Sequence, residues 1–244
     1  MAQRIIRIGT AGWSISSRYA NRFPGAGTHL ERYARQMNCV EINTSFYRPH
    51  QRKTYERWAA STPRSFRFSV KLPKQITHEQ RLSDPEAVLD RFAGEISGLG
   101  EKLGVVLVQL PPSLPFDAKT AGNFFTAISE RIHAPIACEP RHVSWFTPEV
   151  DDWFVERRIA RVAADPVAAP GASQPGGWRR LTYFRLHGSP RMYYSAYQPP
   201  FITALSRRLT SQTGAVWCVF DNTAEGAALG DALATMKETR PNLG

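Results

Sequence analysis

The chemistry in this sequence is concentrated at the ends of short apolar runs. Glu41 and Asn43 alternate with Val40 and Ile42, Ser69 and Lys71 with Phe68 and Val70, and Tyr183, Arg185 and His187 with Phe184 and Leu186. Gln109, Glu139 and Asp221 close three further runs, and Arg141 follows just beyond the second. Side chains alternate faces along a strand, so each set points one way. Glu41, Glu139 and His187 are of types that move protons; Lys71, Arg141 and Arg185 are of types that grip a phosphate or carboxylate. A metal-free anion site with acid–base chemistry is the first reading.

Two other chemistries use the same residues. A divalent metal fits among Glu41, Glu139, His187 and Asp221, because carboxylates and imidazole suit it, although no tight His-Glu-x-x-His motif occurs. Lys71 as a Schiff-base nucleophile is a weaker reading, since neighbouring carboxylates favour its protonated form. For any one pair, Glu41 with Lys71 or Glu139 with Arg185, the plain alternative is a structural ion pair, as buried charges need partners. His78 can reach over the same mouth from its loop. Trp13, Tyr47, Trp145, Tyr193, Tyr194 and Tyr197 are suited to stack on a base or sugar ring, or to anchor loops. Neither Gly-x-Gly-x-x-Gly nor a Walker loop is present, so no nucleotide cofactor is indicated.

For these groups to meet, the runs must lie side by side. The pattern predicts strands at 4–10, 39–45, 66–71, 105–110, 136–139, 160–164, 181–187 and 215–221. It predicts helices at 28–38, 51–61, 84–102, 117–131, 148–159, 200–211 and 224–238. Thr28 and Glu31 have capping-box spacing, and Pro85 and Pro148 sit at first turns. Such alternation implies an α/β fold with parallel strands and right-handed crossovers. Eight strands in 244 residues fit a single (β/α)8 TIM-type barrel better than an open doubly wound sheet. The exception is 166–179, a Pro-, Gly- and Ala-rich coil where helix six belongs, read as a lid or a disordered loop. Long loops follow strands, at 13–27, 72–83, 140–147 and 188–198, which assigns function to the C-terminal face.

Composition sets the outer bounds. With 42% hydrophobic and 21% charged residues, the 244-residue chain reads as one globular barrel domain over 1–244. No apolar stretch has the length of a membrane span and no signal-like region follows Met1, so a cytoplasmic location is expected. Cys39, Cys138 and Cys218 lie in strand-like runs, as buried reduced thiols do. The net charge of +10 attracts phosphates and other anions, and allows nucleic acid as a partner.

Taken in order, the motifs resemble the domain-of-unknown-function 72 family, also called YecE-like. The matching stretches are Ile8-Gly-Thr-Ala-Gly-Trp13, Val40-Glu-Ile-Asn-Thr-Ser-Phe-Tyr47, Phe66-Arg-Phe-Ser-Val-Lys71 with Thr77-His78, and Val108-Gln-Leu-Pro-Pro112. They continue through Cys138-Glu-Pro-Arg-His142, Ser144-Trp145, Tyr183-Phe-Arg-Leu-His-Gly188 and Val219-Phe-Asp-Asn222. The resemblance implies a single parallel barrel and supplies no reaction. It implies Glu41, Asn43, Tyr47, Lys71, His78, Gln109, Glu139, Arg141, Arg185, His187 and Asn222 as site residues. Of these, Glu41, Glu139 and His187 are assigned to catalysis and the rest to substrate binding, with no metal ligand or cofactor assigned. Asp221-Asn222 replaces a more usual pair of asparagines, which bears on the ligand's charge. The barrel is also similar to those of metal-dependent sugar isomerases and abasic-site endonucleases, an analogy of fold. The expectation is an enzyme binding an anionic, phosphate-bearing small molecule or nucleic-acid end. The alternatives are a divalent-metal phosphodiesterase or sugar isomerase, and a non-catalytic nucleic-acid-binding protein.

Overall fold

A computed structural model describes residues 6–239 of the chain. Ten strands are present among the described residues: β1 (Ile6–Thr10), β2 (Cys39–Ile42), β3 (Arg67–Lys71), β4 (Leu103–Gln109), β5 (Ile136–Glu139), β6 (Ile159–Arg161), β7 (Ala163–Asp165), β8 (Gly176–Gly177), β9 (Leu181–Leu186) and β10 (Ala215–Phe220). The α-helices between and after them are α1 (His29–Ala34), α2 (Arg52–Ala60), α3 (Glu86–Ile96), α4 (Ala118–Arg131), α5 (Pro148–Glu156), α6 (Pro199–Ser211) and α7 (Ala227–Thr239). Positions 4 and 5 of the first expected strand lie outside the described residues. Capping follows the residues present. Thr28 and Glu31 form a reciprocal capping box, Asp117 accepts from the Thr120 N–H at 2.7 Å, and Thr147 caps α5 ahead of Pro148.

All strand pairings are parallel except that of β6 with the two-residue β8. One sheet runs β2-β3-β4-β5-β6-β8 and the other β1-β10-β9-β7. β2 to β6 are neighbours in chain order, with no reversal of the kind that defines a doubly wound sheet. The sheets meet at two places. The chain passes from β6 to β7 at Val162, and a single parallel bridge joins Ala11 to Glu41, supported by the Gly12 N–H donating to the Glu41 carbonyl at 2.8 Å. Gly9 permits the approach there, because a Cβ would collide with the Cys39 carbonyl.

Strand alternation divides the apolar residues into two cores. Val40, Phe68, Val106, Cys138, Phe184 and Phe220 face the helices, whereas Cys39, Val105, Ala137, Ala160, Tyr183 and Trp217 pack together on the opposite face. Along that second face, residues nearer the strand starts are apolar, and those at the C-terminal ends are Glu41, Lys71, Gln109, Glu139 and Arg185. Polar groups therefore gather at one end.

Several expected boundaries differ. The strand expected at 39–45 stops at Ile42, because Asn43 takes a helical backbone (φ −89°, ψ −19°) and opens a short 3-10 turn, Thr44–Phe46. Ser45 then satisfies the turn by donating to the carbonyls of Ile42 and Lys71. The expected 160–164 strand is split at Val162 so that its halves pair with different sheets. The helix expected over 84–102 ends at Ile96 and continues as a 3-10 segment, Ser97–Lys102, broken at Gly100 (φ 51°). Residues 166–179 form turns and β8, with Ala169 and Ala172 buried. The Arg161 guanidinium donates to the carbonyls of Gly171 and Gln174, and Arg208 donates to that of Ser173. So pinned, the segment is a fitted part of the structure rather than a disordered loop.

Candidate functional site

Arg185, on β9, is fully buried and is the hub of the polar end. Its Nη2 lies 2.8 Å from Glu41 Oε1 and 3.0 Å from Asp221 Oδ2, and its Nη1 lies 3.2 Å from Glu139 Oε2. Three carboxylates from β2, β5 and the end of β10 thus converge on one guanidinium, whose planar fork of five donors suits such a cluster. Tyr183, two residues earlier on the same face, donates to Glu41 Oε2 at 2.9 Å, and its oxygen lies 3.0 Å from Ser69 Oγ. Glu41 therefore has both oxygens engaged and no solvent contact.

His187 closes a ring of contacts around the same carboxylates. Its Nε2 is 3.1 Å from Glu139 Oε1 and its Nδ1 is 3.1 Å from Asp221 Oδ2. Burial alone would push the imidazole down. The Glu139 charge and the hydrogen bonds to Asp221 and Glu139 outweigh burial and the opposing Arg185 charge, holding the ring above the ordinary histidine pKa. Burial likewise works against the charged form of Glu139, and the charges of Arg185, His187 and Arg141 reverse it to hold this carboxyl well below its usual range. With both nitrogens between carboxylates, the protonated ring donates twice.

Lys71, at the end of β3, behaves differently. It is 5% exposed, yet among the described residues no carboxylate lies within ion-pair distance of its ammonium. Its Nζ instead lies 3.9 Å from the centre of the Phe46 ring. Burial pushes the amine down to about 8, helped by the Arg185 charge and opposed by Glu41, Glu139 and Asp221. The expected pairing of Glu41 with Lys71 is thus replaced by Glu41 with Arg185, while Glu139 does pair with Arg185.

Arg141 and His78 stand on the open side. Arg141 contacts Glu139 Oε1 through Nε and Nη2 at 3.1 and 3.0 Å, hydrogen-bonds Tyr193, and is part-exposed. His78, in a single π turn (Gln75–Glu79), pairs through Nδ1 with Thr77 Oγ1 at 2.8 Å and meets the Phe46 ring edge-on at 5.1 Å. Its burial and the charges of Lys71, Arg141 and Lys74 hold it below the ordinary value, so it is neutral at pH 7. Gln109 reaches Arg185 at 3.5 Å, the outer limit of a hydrogen bond.

The remaining expected residues lie apart from this ring. Asn43 is half-buried beyond the end of β2, with Oδ1 buried and unpartnered, and Tyr47 is 68% exposed. Asn222 turns away: its Nδ2 donates to Asp231 Oδ2 at 2.7 Å and to the Ser195 carbonyl at 2.8 Å, bracing the 188–198 loop. Three contributors lie outside the eleven expected site residues, although Asp221 is expected as a possible metal ligand and Tyr193 as a stacking or loop-anchoring ring. Asp221 continues the alternation of Trp217 and Val219; Phe46 sits inside the 40–47 motif; Tyr193 holds a left-handed backbone (φ 70°) with its ring edge-on to His187 at 5.7 Å. Only Asp221 had a periodic signal. Among the described residues, no group of three or more His, Cys, Asp or Glu is arranged to hold a metal ion, and no helix is long and apolar enough to cross a membrane.

A parallel α/β protein with a charged ring at the C-terminal ends of its strands is the class this structure defines. The chain belongs to the family described as protein of unknown function DUF72, whose model matches residues 7–243. It is similar to the UPF0759 protein YecE of Escherichia coli, 29% identical over 133 residues, which are 54% of this chain and 48% of YecE. The chain thus spans about half the length of that curated relative. Its fold is similar to the crystal structure of a DUF72 family protein from Enterococcus faecalis (TM-score 0.79, 21% identity, covering 98% of this chain and 97% of that one). It is also similar, at 12% identity and a TM-score of 0.56, to a sugar phosphate isomerase/epimerase from Parabacteroides distasonis, covering 98% and 96% of the two chains.

Proposed function

We propose that the two sheets form one (β/α)8 barrel domain over 1–244, with the 166–179 coil in place of helix six. Its mouth is the site of an enzyme acting on an anionic, phosphate-bearing small molecule. The observation that carries this reading is Lys71, an ammonium held at the mouth without a carboxylate partner while Arg185 takes all three carboxylates. Glu41, Glu139 and Asp221 are balanced by Arg185, Arg141 and Lys71, so a protonated His187 leaves a surplus of one positive charge. An anion settling between Lys71 and Arg141 neutralises that surplus in a poorly solvated place, where charge-assisted hydrogen bonds are strong.

In this reading Arg185 is a positioning residue rather than part of the grip. Glu41 acts through it. Glu139 and His187 form a proton-transfer pair whose donor form is stabilised by Asp221, as isomerisation or hydrolysis of a phosphorylated substrate requires. The alternative of a divalent metal at Glu139, His187 and Asp221 must displace the guanidinium now lying between those carboxylates, which disfavours it. That the Parabacteroides neighbour is a sugar phosphate isomerase/epimerase agrees with a phosphorylated substrate by analogy of fold alone.

Calorimetric titration with inorganic phosphate and a panel of sugar phosphates at pH 7 tests the proposal. Binding by the wild type, lost in both Lys71→Met and Arg141→Gln with circular dichroism unchanged, is the expected result. Wild-type affinity in those two variants would remove the anion grip and the reading with it.

A further inference from the structure

Beside the charged ring, a cavity of about 420 Å³ opens at the C-terminal ends of β1 and β2, bordered by Gly12, Trp13, Asn43, Tyr47, Arg48 and Trp58. Its aromatic side is built of rings packed edge to face: Trp13 on Trp58 at 4.9 Å and His50 on Trp58 at 5.2 Å. Arg48 is the one arginine on its border, and burial and the charge of Arg48 hold His50 below the ordinary histidine value. This is a recess for an uncharged flat group.

Three features tie the recess to the anion site and to a ligand. Phe46 lies between them, its ring 3.9 Å from Lys71 Nζ and 4.9 Å from the Tyr47 ring, so both positions fall within one small molecule's reach. Tyr47, at the rim, is 68% exposed, leaving an aromatic face for a ring to cover. The Asn43 side chain borders the same recess, and its Oδ1 is buried without a partner. Aromatic faces accept any planar base, and an asparagine amide matches the adjacent donor and acceptor of an aminopurine edge.

We propose that this recess holds the nitrogen heterocycle of a ligand whose phosphate lies at Lys71 and Arg141, which makes the substrate class nucleotide-like rather than a simple sugar phosphate. The inference rests on the anion site proposed above and adds the ring subsite to it. Tyr47 stacks on the ring, and the Asn43 amide lies at its edge.

Inorganic phosphate, ribose 5-phosphate and adenosine 5′-monophosphate separate the two claims when titrated into wild type, Tyr47→Ala and Lys71→Met. Tyr47 is exposed, so its truncation leaves the fold intact, as the thermal midpoint will verify. The expected result is adenosine monophosphate binding at least tenfold more tightly than ribose 5-phosphate. Tyr47→Ala should then weaken the nucleotide at least fivefold and leave ribose 5-phosphate unchanged, while Lys71→Met weakens all three. Equal affinity for the two phosphate esters, unmoved by Tyr47→Ala, would overturn the ring subsite and leave the anion site standing. Failure of all three probes to bind, or wild-type affinity in Lys71→Met, would overturn the anion site and the ring subsite together.

Discussion

Arg185 Nη2 lies 2.8 Å from Glu41 Oε1, both side chains are sealed from solvent, and the two come from strands 144 residues apart in the chain. The same guanidinium holds Glu139 and Asp221. Removing one partner of a buried ion cluster leaves uncompensated charge and typically costs about 3–5 kcal/mol. Arg185→Met should therefore lower the thermal midpoint by roughly 10 °C in a chain of this size. Arg185→Lys should recover little of it, because a single ammonium cannot serve three carboxylates in a fork geometry. Calorimetric scans of the two variants check this; an Arg185→Lys midpoint equal to wild type would show the fork to be unimportant.

Lys71 has the opposite expectation. Its folded pKa of about 8 lies below the ordinary lysine value of 10.5, so the unfolded chain binds more protons between those values. Wild-type stability gains from this group as pH rises from about 8 to 10.5, and carries the full penalty below 8. Lys71→Met removes the penalty and should stabilise the protein by up to about 3 kcal/mol at pH 7, from 1.36 kcal/mol per pKa unit, while abolishing phosphate binding. Urea midpoints for variant and wild type at pH 7 and pH 10 check the sign. The gap should close at the higher pH, as for residues that sacrifice stability to function.

Much of this site was legible in the sequence because a strand repeats every two residues. Glu41, Lys71, Gln109, Glu139, Arg185 and Asp221 fall on one wall by alternation alone. Pairing was not legible, since nothing in the local pattern says that Arg185 rather than Lys71 meets Glu41; that depends on which strands end up facing one another. The same limit applies at Asn43, where a helical backbone ends β2 three residues early, and at Asn222, which follows the inward Asp221 and so turns to Asp231. Helix starts were readable where a local signal announced them, as the Thr28 capping box and Pro148 do. The break at Val162 was not, because it is imposed by the two sheets that β6 and β7 join.

His187 links acid–base chemistry to stability. Its folded pKa is raised above the ordinary 6.5, so its contribution is fully present below 6.5 and is lost as pH rises through the higher folded value. Glu139 is depressed, so its contribution is present above the usual carboxylate range and is lost as pH falls below 4.5 toward its folded value. The cluster should be most stable between these limits. Nuclear magnetic resonance titration of the imidazole should place His187 above 6.5, and an anion held at Lys71 and Arg141 should raise it further. A value below 6.5 would mean that burial outweighs the carboxylates.

Asn222 offers a test of the scaffold behind the mouth. Its Nδ2 is the donor between Asp231 Oδ2 and the Ser195 carbonyl, and burial already raises the Asp231 pKa despite the Asn222 and Tyr197 hydrogen bonds. Gly188, at the start of the same loop, has φ 92° and leaves no room for a Cβ, which would lie 2.9 Å from the Asn222 Cβ. Asn222→Asp places a second carboxylate against the first and deletes the donor to Ser195, leaving buried acceptors unpaired at a cost of about 1–3 kcal/mol each. Two carboxylates sharing such a site force one pKa upward. The variant should accordingly be less stable than wild type at pH 7 and close part of the gap as pH falls toward 5, where one carboxyl accepts a proton and restores a donor. Thermal midpoints at the two pH values measure this. A gap that widens on acidification would show that the charge on Asp231 plays no part in holding the loop over His187.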